Sequence, residues 1–595
     1  MASSPTQNSD GPVRLTVYSN GNKLADTVQV ISVVINRSVN KIPYARIALL
    51  DGDMPEQDFP LSNSEEFAPG KEITISAGYG QDEDTLFKGI VVRHSIKING
   101  NNDSRLIIEC RDKAVKLTIG RKNANYVDSK DSDIISKIIS NAGLGSDVSA
   151  SSTDHKELVQ YYCTDWDFIL SRSETNGFLV IVEDGKLSVK APDTSSSPEL
   201  KVSYGMDLFD FHADLDSLSQ VDSVKSTSWD PKNQNILTSQ VKPEQLNTQG
   251  DLDSSTLSKV IGLNTFHLQT AATKEENALK SWATAQQIKS GLSRIRGHAK
   301  FQGSAKAAPG KLIELAGVGN HFNGNAFVSA VQHNIEDGDW ITEVEFGMSP
   351  EWFAERRDLV APSAAGLLPG VEGLQIGVVK KLDQDPDGHS KIQVSVPIMQ
   401  AESAGVWARL SKFYASDGIG AFFIPEIGDE VILGYLNNDP SHPVVLGSLY
   451  SSKHKPPYEL TAENYTKALV TKSKLKLEFD DEKKIITITT PANNKIVISD
   501  DEKSILLQDQ NDNKLQLDQN GISLDSPKDI KLTAKGQISI DAVGKINITA
   551  KDDVKVSGLN VNNEAQIGFV GKGNASAELS ASGQTTVKGS MVMIN

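Results

Sequence analysis

With only two cysteines in 595 residues, Cys110 and Cys163, the chain cannot rest on a disulfide framework, and both read as buried thiols. No apolar run approaches the roughly 18 residues that a membrane-spanning helix requires. The opening Met1-Ala2-Ser3-Ser4-Pro5-Thr6-Gln7-Asn8 has neither a basic start nor an apolar core, so no signal peptide is expected. Positive charge is in deficit: 60 lysines and arginines face 77 acidic residues, and a net charge of −17 argues against binding nucleic acid or an anionic lipid surface. Aromatic residues are 6% of the chain, which also counts against base-stacking platforms. No histidine or cysteine follows His454.

What the chain does have is periodicity. In its last third, from about Lys474, pairs of aliphatic residues two apart recur: Leu515/Leu517, Ile522/Leu524, Ile530/Leu532, Ile538/Ile540, Ile546/Ile548 and Val554/Val556. From Ile522 to Val554 the first member of each pair returns after eight residues. A polar residue inside each pair makes one strand face dry and the other wet. Gly521, Gly536 and Gly544 fall where corners are expected. Upstream, the repeats near Leu475, Ile486, Ile496 and Ile505 lie about ten apart with charged turns between them, which reads as longer loops on a less regular shaft.

A short fixed period means stacked identical units. Eight residues of strand span about 26 Å, one side of a triangular prism. Three chains could each supply one side, or one chain could supply all three. The strict repeat fills only about one and a half such coils, short of the roughly three repeats a solenoid needs, which favours sharing among chains.

Before the repeat, residues 13 to 120 read as strands, with β-branched runs such as Val28 to Ile35. A helix is expected from near Ser132, with Ile134, Ile135, Ile138 and Ile139 on one face and Gly143 as its stop. A second follows from Thr164 to Arg172, then a strand from Phe178 to Val182 and an Asp184-Gly185 hairpin turn. A third runs from Lys274 to about Lys289. The expected divisions are 1–360, a linker at 361–373, a compact β unit at 374–450, a neck at 451–473 and the repeat at 474–595.

Trp407-Ala408-Arg409, the run Gly420 to Tyr435 with Pro425, Gly428, Asp429 and Glu430, and Pro443-Val444-Val445-Leu446-Gly447 together resemble the OB-fold domain of phage baseplate spikes and of the VgrG proteins of contractile injection systems. Gln160-Tyr161, Asp165 to Ile169 and Gly177-Phe178 resemble that family's hub domain, and Gly583 to Asn595 the end of its spike. The resemblance implies a mainly β fold: β-barrel hub domains with a few helices, an OB-fold barrel, and a C-terminal intertwined triple-stranded β-helix in a homotrimer. Ile522, Leu524, Ile530, Leu532, Ile538, Ile540, Ile546, Ile548, Val554 and Val556 would then form the trimer core of the spike. Met591, Val592, Met593, Ile594 and Asn595 would form a tip that docks a PAAR-type cap, or the apolar residues among them would only close the core of the last rung.

It further implies a non-catalytic spike and hub that punctures a target envelope and nucleates the inner tube. Its partners would be itself, the inner-tube protein, baseplate proteins, the tip protein and, where carried, effector cargo, with the target membrane met only during puncture. It would assemble in the bacterial cytoplasm and act outside the cell or within the target. The competing reading is a trimeric tail fibre binding surface glycans.

Other motifs are weaker. Asp383-Gln384-Asp385-Pro386-Asp387-Gly388 opens like a calcium loop, but its twelfth position is Val394 instead of Glu, so a hairpin turn is expected. Gly317-Val318-Gly319 lacks the rest of a dinucleotide fingerprint. His321 and His333 have no partners in metal-cluster spacing. No metal, cofactor or catalytic constellation is expected: the gap from about Tyr450 to Ser473 is too short for an inserted enzyme, and Asn595 directly follows the tip signature. Trp407 and Arg409 are expected to pack and pair inside the OB barrel.

Overall fold

The computed structural model describes residues 2–7, 11–100, 103–244, 246–400 and 405–594, and it divides into two compact units, Met1–Leu449 and Tyr450–Asn595. In the first, a 13-stranded sheet joins elements far apart in the chain. Val30–Ser38 pairs antiparallel with Gly324–Glu336, setting Ile35 opposite His333, and so links the N-terminal strands to those after residue 290. Alternating side chains of these strands point into two aliphatic cores. One gathers Ile35, Ile47, Ile73, Ile75, Leu106 and Ile108 around Phe67 and Trp340. The other gathers Ile313, Val328 and Val344 around Phe301 and Phe346.

Among the described residues, four α-helices accompany the sheets. α1, Asp131–Asn141, buries Ile134, Ile135, Ile138 and Ile139, and Gly143 follows it at φ 68°. α2, Asp165–Thr175, starts at Thr164, whose hydroxyl accepts the Asp167 N–H at 3.1 Å. Asp184 and Gly185, at φ 51° and 75°, then turn the hairpin between Leu179–Glu183 and Lys186–Lys190. α3, Ser254–Ile261, was not anticipated, although Asp253 caps it in the ordinary way. α4, Glu276–Ser293, runs further than its apolar spacing indicates because its buried face is mostly small and polar, with Ala283, Ala285, Gln286, Gln287 and Ser290.

A buried cluster ties the first two helices together. The Asp131 carboxylate accepts from Arg172 Nε and Nη2 at 2.7 and 2.9 Å and from Asn176 Nδ2 at 2.8 Å, with His155 Nε2 at 3.1 Å. Burial opposes its charge, but the bonds to His155 and Arg172 outweigh that and hold the carboxyl well below its usual range.

A closed five-stranded barrel follows: Gln375–Lys381, Ile392–Ser395, Val406–Leu410, Pro443–Ser448 and Glu430–Tyr435 in order around the wall, with Val406–Leu410 and Pro443–Ser448 parallel. Val379, Ile392, Val394, Ala408, Val431, Leu433 and Val445 fill it. The Asp385 carboxylate accepts from the backbone N–H groups of Asp387, His389 and Lys391, so the calcium-like stretch is a self-bonded turn. Residues 361–373 are ordered against the barrel: Ala364 is buried, and Val371 N–H donates to the Asn438 carbonyl at 2.8 Å.

The second unit begins its regular structure with a seven-stranded antiparallel meander from Thr466–Val470 to Gly521–Asp525. No regular secondary structure follows in the described residues up to 594.

His333 gives this fold a pH signature. Its ring is fully enclosed; Nδ1 lies 2.9 Å from the Thr342 hydroxyl and accepts from Trp340 Nε1 at 3.3 Å, while Nε2 has no partner among the described residues. Burial, helped by the charge of Arg37, pushes its pKa down from 6.5 to about 3. The unfolded chain therefore takes up a proton that the fold refuses, and stability attributable to His333 is lost as pH falls from 6.5 toward 3. Replacing it with leucine should shrink the difference between calorimetric midpoints at neutral pH and at about pH 4.5. An unchanged difference would contradict the assignment.

Candidate assembly surface

The meander is built from five-residue strands, each with two apolar residues two apart. Antiparallel register lines them up in two ladders on one face. One runs Leu469, Leu477, Ile488, Ile496, Leu507, Leu515, Leu524. The other runs Phe479, Ile486, Ile498, Ile505, Leu517, Ile522. The opposite face carries Glu478, Thr487, Val497, Leu506, Gln516 and Ser523 in one row and Lys476, Thr489, Lys495, Gln508 and Lys514 in another.

A sheet with one such face is stable in water only when that face is covered. Here the described residues leave most of it open: Leu477, Leu515 and Leu517 are half-buried, and the exposure of the others runs from 37% at Ile486 to 75% at Ile522. Ile488, Ile496, Leu507, Leu515, Leu524 and Ile530 line an open apolar hollow of about 640 Å³. Contiguous apolar surface on this scale marks an interaction site. Covering it is worth on the order of 1 kcal/mol per side chain.

The turns explain the regularity. Thr471, Thr490 and Asp509 stand nineteen residues apart and open the three turns on one edge of the sheet. The Thr490 hydroxyl accepts the Asn494 N–H at 3.2 Å, and the Asp509 carboxylate accepts the N–H groups of Asn511 and Asn513 at 2.8 and 2.9 Å. Lys474, Asn493 and Asp512 take the left-handed conformation at matching positions, all at φ 66°. The unit of repetition is thus a nineteen-residue hairpin. The spacing of about ten that the sequence displays is half of it. The unregistered signal was the return of Leu477/Phe479 at Ile496/Ile498 and Leu515/Leu517.

The residues singled out from sequence fall as follows. Ile522 and Leu524 close the meander, whereas Ile530, Leu532, Ile538, Ile540, Ile546, Ile548, Val554 and Val556 lie beyond it, all exposed and without strand pairing among the described residues. Met591, Val592, Met593 and Ile594 are exposed, and Asn595 lies outside the described residues. In the barrel, Gly428, at φ 92°, donates its N–H to the Val379 carbonyl at 2.9 Å, and Asp429 accepts from Glu426 N–H at 2.8 Å. Pro425 thereby leads into this turn and Glu430 starts the next strand.

The expectation for Trp407 and Arg409 is corrected. Ala408 is the fully buried residue of that strand, so its two neighbours project outward; Trp407 is half-buried and Arg409 exposed.

Residues 9–337 match the family described as Alg8 N-terminal domain, more than half of the chain, and residues 375–450 match the type VI secretion system/phage-baseplate injector OB domain. The type VI secretion system spike protein VgrG1b of Pseudomonas aeruginosa is 28% identical over 182 residues, covering 28% of this chain and 24% of that protein. The actin cross-linking toxin VgrG1 of Vibrio cholerae is 32% identical over 109 residues, 17% of this chain and 10% of that one. The matched parts thus span a quarter or less of these relatives' lengths. Among solved structures, the E. coli c3393 protein, a component of the type VI secretion system, superposes with a TM-score of 0.36 and 11% identity over 73% of this chain and 99% of its own.

Bonding to Asn513 and Asn511 pulls the Asp509 carboxyl down to about 2. Its contribution to the turn is therefore present above pH 3.8 and lost as pH falls toward 2. Asp509→Ala at neutral pH should speed hydrogen exchange at the Asn511 and Asn513 amides and leave the turn at Thr490 unchanged. Equal exchange in variant and parent would count against the capping role.

Proposed function

The chain belongs to the family of the Alg8 N-terminal domain, and we propose that it serves as the trimeric central spike and hub of a contractile injection machine. The observation that carries this reading is the bare apolar face of the meander from Thr466 to Asp525, continued in sequence by the eight-residue pairs from Ile530 to Val556. Three copies turned inward about one axis would bury it. The meander would give each copy one side of a prism. The later pairs, which find no strand partner among the described residues, would find theirs in the other two copies.

In this reading residues 1–360 form the hub that meets the inner tube and the baseplate, 361–373 lead to an OB collar at 374–450, 451–473 are the neck, and 474–595 are the spike. Met591, Val592, Met593 and Ile594 offer an apolar platform to a PAAR-type cap and, where carried, to cargo. The work is mechanical. Sheath contraction supplies the force, and the protein passes through the target envelope without chemistry of its own. The VgrG relatives and the injector OB match support a spike over a glycan-binding tail fibre.

Two adjacent residues test the arrangement because they lie on opposite faces of one strand. Ile496→Asp sets three carboxylates into the dry core, a cost of several kcal/mol per unpaired buried charge, and should abolish the trimer in size-exclusion chromatography. Val497→Asp should leave it intact. Ile538→Asp should behave like Ile496→Asp. Equal elution of the Ile496 and Val497 variants as trimers would overturn the proposed core.

A further inference from the structure

The two side edges of the meander are not alike. Strands Lys476–Asp480, Lys495–Ser499 and Lys514–Asp518 run in the same direction, nineteen residues apart. Each begins on lysine. Each ends on an acid or runs straight into one: Asp480, Asp500 after Ser499, and Asp518. The strands between them, Ile485–Thr489 and Ser504–Gln508, have uncharged ends. Taking turns and flanking strand ends together, the starting edge has five lysines (472, 474, 476, 495, 514) against Asp509, Asp512 and Asp525, which stands opposite Lys514, a net of +2. The finishing edge has seven carboxylates (480, 481, 482, 500, 501, 502, 518) against Lys483, Lys484 and Lys503, a net of −4.

Part of this charge is met within one chain. Lys476 does meet Glu478 at 3.3 Å, and Asp481 is bonded by Lys467. Lys495, Asp500, Asp501 and Glu502, however, make no ion pair among the described residues. Lys495 and Asp500 stand at opposite ends of one strand, about 17 Å apart along the backbone. That is roughly twice the screening length at physiological salt. They do not complete each other.

We infer that the starting edge of each meander docks against the finishing edge of the next copy, with Lys495 of one chain meeting Asp500–Glu502 of its neighbour in a head-to-tail ring of ion pairs. This rests on the trimeric reading above and adds the contact that orders the three copies. Rotation about a threefold axis carries the starting edge of one sheet to the finishing edge of the adjacent one at the same height, so lysine meets acid in each tier. The apolar face cannot supply that order. Its ladders of Leu and Ile recur at every strand, and a slip of one strand, about 4.8 Å, would preserve dry contact. The same slip sets each lysine level with the gap between two acidic turns. Charge at the edges therefore selects one axial register and one sense around the ring.

A double-mutant cycle in the full-length chain tests this, since any coupling between Lys495 and Asp500 must be intermolecular. Lys495→Glu, Asp500→Lys and the swap carrying both are compared with the parent by light scattering and by the temperature at which trimer mass is lost. Each single reversal should lower that midpoint by several degrees at low salt, and the swap should recover at least half of the combined loss. One molar salt should shrink these differences. If the single variants aggregate, return of the swap to soluble trimer supports the edge pairing equally, and a swap that stays aggregated contradicts it. Trimers that melt like the parent in both single variants, or a swap whose loss is the plain sum of the two, would overturn the edge pairing and leave the trimer standing. A monomeric parent would overturn both.

Discussion

The structure turns on a sheet with one largely uncovered apolar face. From Thr466 to Asp525 two ladders of apolar side chains stand on one face, and within the described residues most of them are exposed. Apolar area of that kind is either buried or a liability. Everything nearby is consistent with burial by other copies. The strands are short, the turns are locked by their own side chains, the far face mixes polar residues with Ile485, Val497 and Leu506, and the two edges carry opposite charge.

The first unit contrasts with this. Its sheet cores and its barrel are filled by residues of the same chain, with Ile35, Phe301, Val394 and Leu433 almost wholly enclosed. Even the buried charge of Asp131 is paired locally by Arg172. On the trimeric reading proposed above, the molecule would combine a part whose core is filled by its own residues with a part completed by assembly. A core shared in that way would leave few free strand edges and would be slow to unfold.

Much of this was legible from local signals. The four isoleucines of α1, the Thr164 cap of α2 and the Asp184-Gly185 turn are each set by neighbours in sequence, and each formed where its pattern indicated. The barrel was readable through its motif. The pairing of Val30–Ser38 with Gly324–Glu336 was not, since nothing local couples strands some three hundred residues apart. α3 was missed because eight residues carry too few apolar positions to show a period. The inward residue of Val406–Leu410 was misassigned because conspicuous size drew attention to Trp407 and Arg409, whereas the strand's alternation turns the small Ala408 to the core. In the meander, the aliphatic pairs announced the dry face, but a hairpin with two unlike turns doubles the true period. Only the register shows that Lys476, Lys495 and Lys514 share one edge.

The central claim is that the bare face is buried among three copies, and mass in solution addresses it most directly. Multi-angle light scattering of the full-length chain should give three times the 64.3 kDa chain mass across the elution peak, with no monomer on dilution. A single species at the mass of one chain would contradict the account, because the sheet would then persist in water uncovered.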